Sequence, residues 1–279
     1  MKAATHLNGL TSHRTLKRID SYGWLEAEDQ VAQEEPLEIK FRIGSDKEKS
    51  AGIVMRTPVH DDWLAVGFLY SEGILHDRRW INGIEGVSIE GKAQDNIVTV
   101  NIDPRNGSFD PDYRERFVNS SCGICGKSTI NGIFLRMGKI KRDNIKIDPG
   151  VIVSLPVIMK GMQQLFSKTG GIHAAALFSA DGKPIVTAED IGRHNAVDKV
   201  VGFSLIEGID TSTLILQVSG RAGFEIVEKA AIAGIPVICS VSAPSSLAIE
   251  VCESLGLTLI CFVRGSSFNV YTHAERIMI

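Results

Sequence analysis

The 279-residue chain has no run of about 20 apolar residues, so the sequence offers no membrane-spanning helix. Its first 25 residues carry His6, His13, Arg14, Lys17, Arg18 and Asp20 among short apolar pieces, so no leader-like apolar core is present and a cytoplasmic location is expected. Positive charge is not in excess either: 30 Lys and Arg stand against 33 Asp and Glu, a net charge of −3 with a pI near 6.2. No global field recommends nucleic acid or an anionic membrane, and neither is expected as a partner. Cysteine is scarce and odd in number, five in all, the wrong arithmetic for a disulfide framework and a better match to a reducing compartment. There is no internal repeat, no low-complexity segment, no P-loop and no G-x-G-x-x-G.

What is present divides into two rhythms. Leu37, Ile39, Phe41 and Ile43 alternate with polar residues, which predicts a half-buried strand, followed by a second strand at 52–55. Asp61 and Asp62 are candidate N-caps for a helix through Trp63, Val66, Phe68 and Leu69 that ends near Gly73. A hairpin is expected from 87–89 and 97–102, and the turn-rich stretch 103–111 reads as a boundary. Beyond it, Ser154 is expected to cap a helix whose apolar face runs through Leu155, Ile158, Met159, Met162, Leu165 and Phe166, the methionines packing in the core. Strands are expected at 174–178, 184–187, 213–218, 236–241 and 257–263, with helices from about Gly192, at 224–233 and at 246–255. Near-continuous apolar strands joined by helices call for a mostly parallel sheet covered on both faces. The expected organisation is therefore α/β: a tail or edge segment at 1–30 whose fold the pattern does not define, a smaller β-rich N-terminal domain at 31–118, a CxxC loop and connection at 119–142, and an α/β domain at 143–279.

Three of the loops that leave those strands read Ser219-Gly220-Arg221, Ser242-Ala243-Pro244-Ser245-Ser246 and Arg264-Gly265-Ser266-Ser267. In an open parallel sheet the ligand crevice lies beyond the carboxyl ends of the strands, where helix N-termini favour anions. Small hydroxylated residues let the backbone come close, and Arg221 and Arg264 supply forked donors for phosphate. Ordinary caps and turns are the plainer reading of any single loop; three in succession point to a phosphorylated or nucleotide-like ligand.

The segment Ser120-Ser121-Cys122-Gly123-Ile124-Cys125-Gly126-Lys127 sets two thiols among glycines and hydroxyls, whereas Cys239, Cys252 and Cys261 sit in apolar patterns and read as packing residues. A thiol near pKa 8.5 is only about 3% thiolate at pH 7, so a working cysteine needs help, for which Lys127 and the partner thiol are candidates. Four readings compete. A structural zinc site lacks a second CxxC and would need His173 or His194; a thioredoxin-like pair lacks its βαβ setting; the pair could serve structure alone; or one thiolate accepts and passes on a group. A second dense segment, Thr169-Gly170-Gly171-Ile172-His173 with Glu189-Asp190-Ile191-Gly192-Arg193-His194-Asn195-Ala196-Val197-Asp198-Lys199, reads either as a capped helix start with i,i+4 pairs Asp190 to His194 and Asn195 to Lys199, or as groups that position a substrate or tune a thiolate.

These blocks, with Glu35-Pro36-Leu37-Glu38-Ile39, Met55-Arg56-Thr57-Pro58, Gly67-Phe68-Leu69-Tyr70-Ser71-Glu72-Gly73 and Ser242-Ala243-Pro244, resemble the signatures of the formate dehydrogenase accessory sulfurtransferases, the FdhD proteins, from about residue 34 to 273. The resemblance implies a sulfurtransferase that acts as a sulfur carrier. A persulfide is received from a cysteine desulfurase and delivered to the molybdenum bis(molybdopterin guanine dinucleotide) cofactor, a bound substrate, before formate dehydrogenase takes up that cofactor. It further implies a C-terminal half similar to cytidine deaminases, a homodimer, the persulfide on Cys122 with Cys125 assisting, and contact of Phe262, Val263, Arg264, Gly265, Ser266 and Ser267 with the guanine dinucleotide. Ser219, Arg221 and His194 complete the expected cofactor-binding set, and no permanent metal is expected. The alternative is a molybdopterin-nucleotide-binding chaperone whose CxxC only binds zinc.

The chain departs from the family pattern in two places. Ala222-Gly223-Phe224 stands where a serine usually precedes the aromatic residue, and Ser245 stands where threonine is common. The deaminase zinc signature is also missing: Ala174-Ala175 follows His173 without the catalytic Glu, and CxxC precedes the histidine, which disfavours deamination.

Overall fold

A computed structural model describes residues 9–86, 96–103 and 145–278. Residues 11–32 form an antiparallel hairpin of β1 (Thr11–Asp20) and β2 (Gly23–Ala32), in register from Thr11 opposite Ala32 to Asp20 opposite Gly23. Both faces of this pair mix charged and apolar residues and stay largely exposed, which is why period two is not legible there.

The alternation beyond it does bury one face. β3 (Glu35–Ile43) points Leu37, Ile39 and Phe41 into the core, pairs antiparallel with β4 (Lys49–Arg56), and α1 (Asp61–Ser71) adds Leu64, Ala65 and Leu69 to the same cluster. Each of the Leu, Ile and Phe side chains removed from water stabilises by about 1.5–3 kcal/mol, and Ala65 by less than about 1 kcal/mol. The α1 cap differs from expectation: His60, in a left-handed conformation with φ 54, precedes the helix, and the Asp61 carboxylate is taken up by Arg56 at 2.9 Å through both Nε and Nη2. β5 (Ile81–Glu85) pairs antiparallel with β6 (Ile97–Ile102), which is parallel to β3, completing the order β4-β3-β6-β5. The strand expected at 87–89 lies outside the described residues.

The second half begins with α2 (Pro149–Met162), capped by Asp148 onto the Gly150 N–H with Pro149 in the first turn. Ser154 is therefore inside the helix, where its hydroxyl donates to the Val151 carbonyl. The expected single helix breaks at Gln163 and resumes as α3 (Gln164–Thr169). Met159 is buried as expected, but Met162 is 38% exposed at the end of α2.

β7 (His173–Ser179), β8 (Pro184–Asp190), α4 (Arg193–Glu207), β9 (Leu214–Val218), α5 (Phe224–Ile232), β10 (Val237–Ser240), α6 (Ser246–Leu255), β11 (Thr258–Arg264) and β12 (Ser267–Thr272) follow in chain order. The six strands form one sheet in the order β12-β11-β10-β9-β7-β8. It is mixed, not mostly parallel: β9, β10 and β11 pair in parallel, while β7 is antiparallel to both β8 and β9, and β12 to β11. The short turns at Asp181-Gly182 and Gly265-Ser266 allow only antiparallel return, whereas the parallel strands have helices between them. α4, α5 and α6 cover one face and α2 the other, as the apolar strands require.

α1 joins the two sheets by crossing α4 at backbone contact. A Cβ on Gly67 would lie 1.9 Å from the Asp198 carbonyl oxygen, and one on Gly202 1.9 Å from that of Trp63. Among the described residues no helix is long and apolar enough to cross a membrane.

Candidate functional site

The carboxyl ends of β9, β10 and β11 open into loops that hold one another by their backbones. Ala222 donates to the Ala243 carbonyl (3.1 Å), Ser245 to that of Ala222 (3.1 Å), and Phe262 to that of Ser242 (3.1 Å). The Ser240 hydroxyl donates to the Gly220 carbonyl at 2.6 Å. Ser219 is tied in as well, its Oγ accepting from the Ala174 N–H at 2.9 Å. The loops that the sequence singles out are thus one contiguous surface, with His173 and Arg193 bordering Gly220.

Three arginines face water on this surface: Arg193, Arg221 and Arg264 are all exposed. Arg264 is aimed by its Nε, which donates to the Val241 carbonyl at 2.8 Å, and its guanidinium carbon lies 5.8 Å from the Phe262 ring centroid. Phe262 itself adopts φ 54, a strained conformation for an aromatic residue, beside a register shift between Cys261 and Arg264. The stretch 262–267 is the end of β11, the turn Gly265-Ser266 and the start of β12.

Two helix N-termini open onto the same loops without side-chain caps. α4 starts after Gly192 and α5 after Gly223, and neither has a side-chain cap, leaving first-turn N–H groups that favour an anion. The departure at Gly223 acquires a meaning here, because a serine in that N-cap position could occupy one of those donors. His194 and Glu225, from the first turns of the two helices, meet at 2.7 Å between Nε2 and Oε2. Burial, then Arg193, Lys229 and His173, hold the His194 imidazole down at about 4. It is therefore neutral at pH 7 and offers Nε2–H to the Glu225 carboxylate.

The dense segment 189–199 resolves into partners distant in sequence. Glu189 accepts from the Leu165 and Phe166 N–H groups at the start of α3. Asp190 is fully buried and accepts from Lys199 Nζ (2.6 Å), the Thr57 N–H (3.2 Å), the Gly192 N–H (2.8 Å) and Asn195 Nδ2 (2.9 Å). Asn195 also donates to the Met55 carbonyl, and Asp198 accepts from Lys229 and Ser71. The expected pairs Asp190 to His194 and Asn195 to Lys199 are thus replaced by a clamp onto 55–57 and α1. Sequence reading missed Glu225 and Lys229 and quoted Thr57 only within the block Met55-Arg56-Thr57-Pro58, with no contact assigned to it; of the first two, the acid in the first turn of α5 carries a local signal.

Cys122, Cys125 and Lys127 lie outside the described residues. The other three cysteines are buried as expected; burial pushes the Cys239 thiol far up, and those of Cys252 and Cys261 up to about 12, so they are inert packing groups. Among the described residues no cluster of His, Cys, Asp and Glu is set to hold a metal.

A mixed sheet with cationic loops at the ends of its parallel strands, joined through a clamped helix crossing to a four-stranded sheet, defines an α/β protein with an anion-accepting surface. The model of the FdhD/NarQ family matches residues 32–278. The chain belongs to that family. It is 51% identical over 270 residues to a sulfur carrier protein FdhD of Thermoplasma acidophilum, covering 97% of this chain and 94% of that one. The like-named protein of Sulfurisphaera tokodaii is 48% identical over 90% of this chain and 92% of its own, and that of Streptomyces coelicolor 41% over 96% of each. Among solved structures, one described as a formate dehydrogenase accessory protein from Desulfotalea psychrophila is similar with a TM-score of 0.75 and 25% identity, over 96% of this chain and all of that one.

Proposed function

We propose that this chain is a sulfur carrier in formate dehydrogenase maturation. Near full-length similarity to proteins named sulfur carriers, and to one described as a formate dehydrogenase accessory protein, supports this role. In the proposed loading step the Cys122 thiolate attacks the outer sulfur of a persulfide on a cysteine desulfurase. The new S–S bond forms as the donor's S–S bond breaks, and the donor sulfur leaves as thiolate. In delivery the Cys125 thiolate attacks the Cys122 sulfur of the persulfide, a Cys122–Cys125 disulfide forms as the persulfide S–S bond breaks, and the outer sulfur leaves at the sulfide level to the molybdenum bis(molybdopterin guanine dinucleotide), held as substrate. Described in these terms the chain is a sulfurtransferase working in the cytoplasm as a homodimer, its second half of the cytidine-deaminase type.

One observation carries the substrate half of the reading: Arg193, Arg221 and Arg264 stand exposed around two helix N-termini that have no side-chain caps. Converging N–H groups and guanidinium forks suit the phosphates of a dinucleotide, with Phe262 offering a ring face beside Arg264. Ser219, Gly265, Ser266, Ser267 and His194 would line that contact, whereas the Val263 side chain is buried in the core with α2, at 1% exposure, and is withdrawn from it. The test is formate dehydrogenase maturation by the wild type and by Cys122→Ala, with zinc measured in both proteins. Loss of maturation in the variant is expected. Full maturation by Cys122→Ala, together with stoichiometric zinc in the wild type, would instead establish a nucleotide-binding chaperone.

A further inference from the structure

Glu225 is a negative charge on a surface built to accept anions. It stands in the first turn of α5, whose start after Gly223 is tied into the strand-end loops by the hydrogen bonds of Ala222 with Ala243 and Ser245. Arg221 closely precedes it and Arg193 adjoins its partner His194, yet among the described residues it pairs with neither guanidinium. Its contact there is with His194, Nε2 to Oε2 at 2.7 Å, and its side chain is 33% exposed. The dipole of α5 favours an acid in that turn, but does not call for an imidazole to aim it.

A carboxylate only accepts, with about four lone-pair positions on its two oxygens. His194 fills one of them and fixes the plane of the group, so Oε1 and the rest of Oε2 are left to a ligand that brings paired donors. Phosphate brings none, and a carboxylate beside it is repelled. The base lies at the end of a nucleotide away from the phosphate charge, where that repulsion is least. Among the purines, guanine sets N1–H and N2–H side by side, the match to a carboxylate fork. Adenine puts a bare N1 beside its amine, so one contact becomes acceptor against acceptor; hypoxanthine keeps N1–H and lacks the second donor.

We propose that Glu225 reads the guanine base of the nucleotide, with His194 as its positioning residue. The inference rests on the nucleotide-binding reading above and adds to it the group that selects the base. Arg193, Arg221 and Arg264 then serve the phosphates, which every nucleotide carries, and Glu225 supplies the discrimination that they cannot.

Calorimetry of the full chain with GDP, IDP and ADP tests this, with circular dichroism as the folding control. The wild type should bind GDP about tenfold or more tightly than IDP, and ADP more weakly than either. Glu225→Gln keeps an acceptor for His194 but turns an N–H donor toward the base, and should cut the preference for GDP over ADP about tenfold or more. A wild type that binds all three alike reads no base: the Glu225 proposal falls and the nucleotide reading stands. An unchanged preference in Glu225→Gln overturns the proposal, and so does equal weakening of all three nucleotides, the result of a ribose contact or a purely structural role. The comparison of GDP with IDP needs the wild type alone and holds whether or not the variant folds. A wild type that binds none of the three overturns both readings.

Discussion

The clamp between the two sheets and the strand-end cluster beside it use the same kinds of residue to opposite ends. In the clamp three aspartates each have a cation: Asp190 with Lys199 at 2.6 Å, Asp198 with Lys229 at 2.8 Å, Asp61 with Arg56 at 2.9 Å. In the cluster Arg193, Arg221 and Arg264 are exposed, and the carboxylate there, Glu225, faces His194. Burial explains the first arrangement, since a lone charge in the interior costs several kcal/mol. The second leaves positive potential for an incoming anion. Rigidity and reactivity are thus divided between neighbours a few residues apart in the segment 189–199.

The comparison breaks most severely at Asp190. Asp190→Ala strands Lys199 in the interior and frees Thr57 and Asn195, and should cost about 3–5 kcal/mol of stability, read by urea denaturation. A loss below about 1 kcal/mol would mean that the clamp does not join the two sheets. Arg264→Ala should do the reverse, leaving the melting temperature nearly unchanged while weakening guanine nucleotide binding by about 1.5–3 kcal/mol in calorimetry. Unchanged affinity would remove Arg264 from the substrate surface.

Acid should act on both regions together. His60, stacked on Trp63 at 3.7 Å, is held at about 4 by burial and then by Lys199; His194 is also held at about 4. Unfolded imidazoles titrate near 6.5, so the unfolded chain binds more protons between the two values. Their contribution is therefore complete above about pH 6.5 and is lost as pH falls toward about 4. Thermal melts should show that loss, and His194→Asn should flatten it; an identical pH profile in the variant would contradict the assignment. The smallest effect is expected at Gly223, where an added Cβ meets nothing within 4 Å. Gly223→Ser should cap α5 and raise stability by a few tenths of a kcal/mol.

Much of this was legible in the sequence where burial imposes a period. The strands at 35–43 and 214–264 and the helices between them follow from apolar spacing, as does the inertness of Cys239, Cys252 and Cys261. The hairpin of β1 and β2 was not, because neither of its faces is buried by the rest of the chain and charge alternates without a core to set its phase. β12 was hidden for a related reason: Ser267, Asn269 and Tyr271 alternate with Phe268 and Val270 at a half-exposed edge. The three cationic loops were readable as candidates one by one. Their zipping through Ala222, Ser242 and Ser245, and the pairing of His194 with Glu225, are tertiary events that local pattern does not encode.

The carrier reading stands on the chemistry of Cys122. The full chain would be incubated with a cysteine desulfurase and cysteine, trapped by alkylation, and its persulfide located by mass spectrometry. Sulfur is expected on Cys122 in the wild type and absent from Cys122→Ala; loading that persists unchanged in that variant would contradict the account.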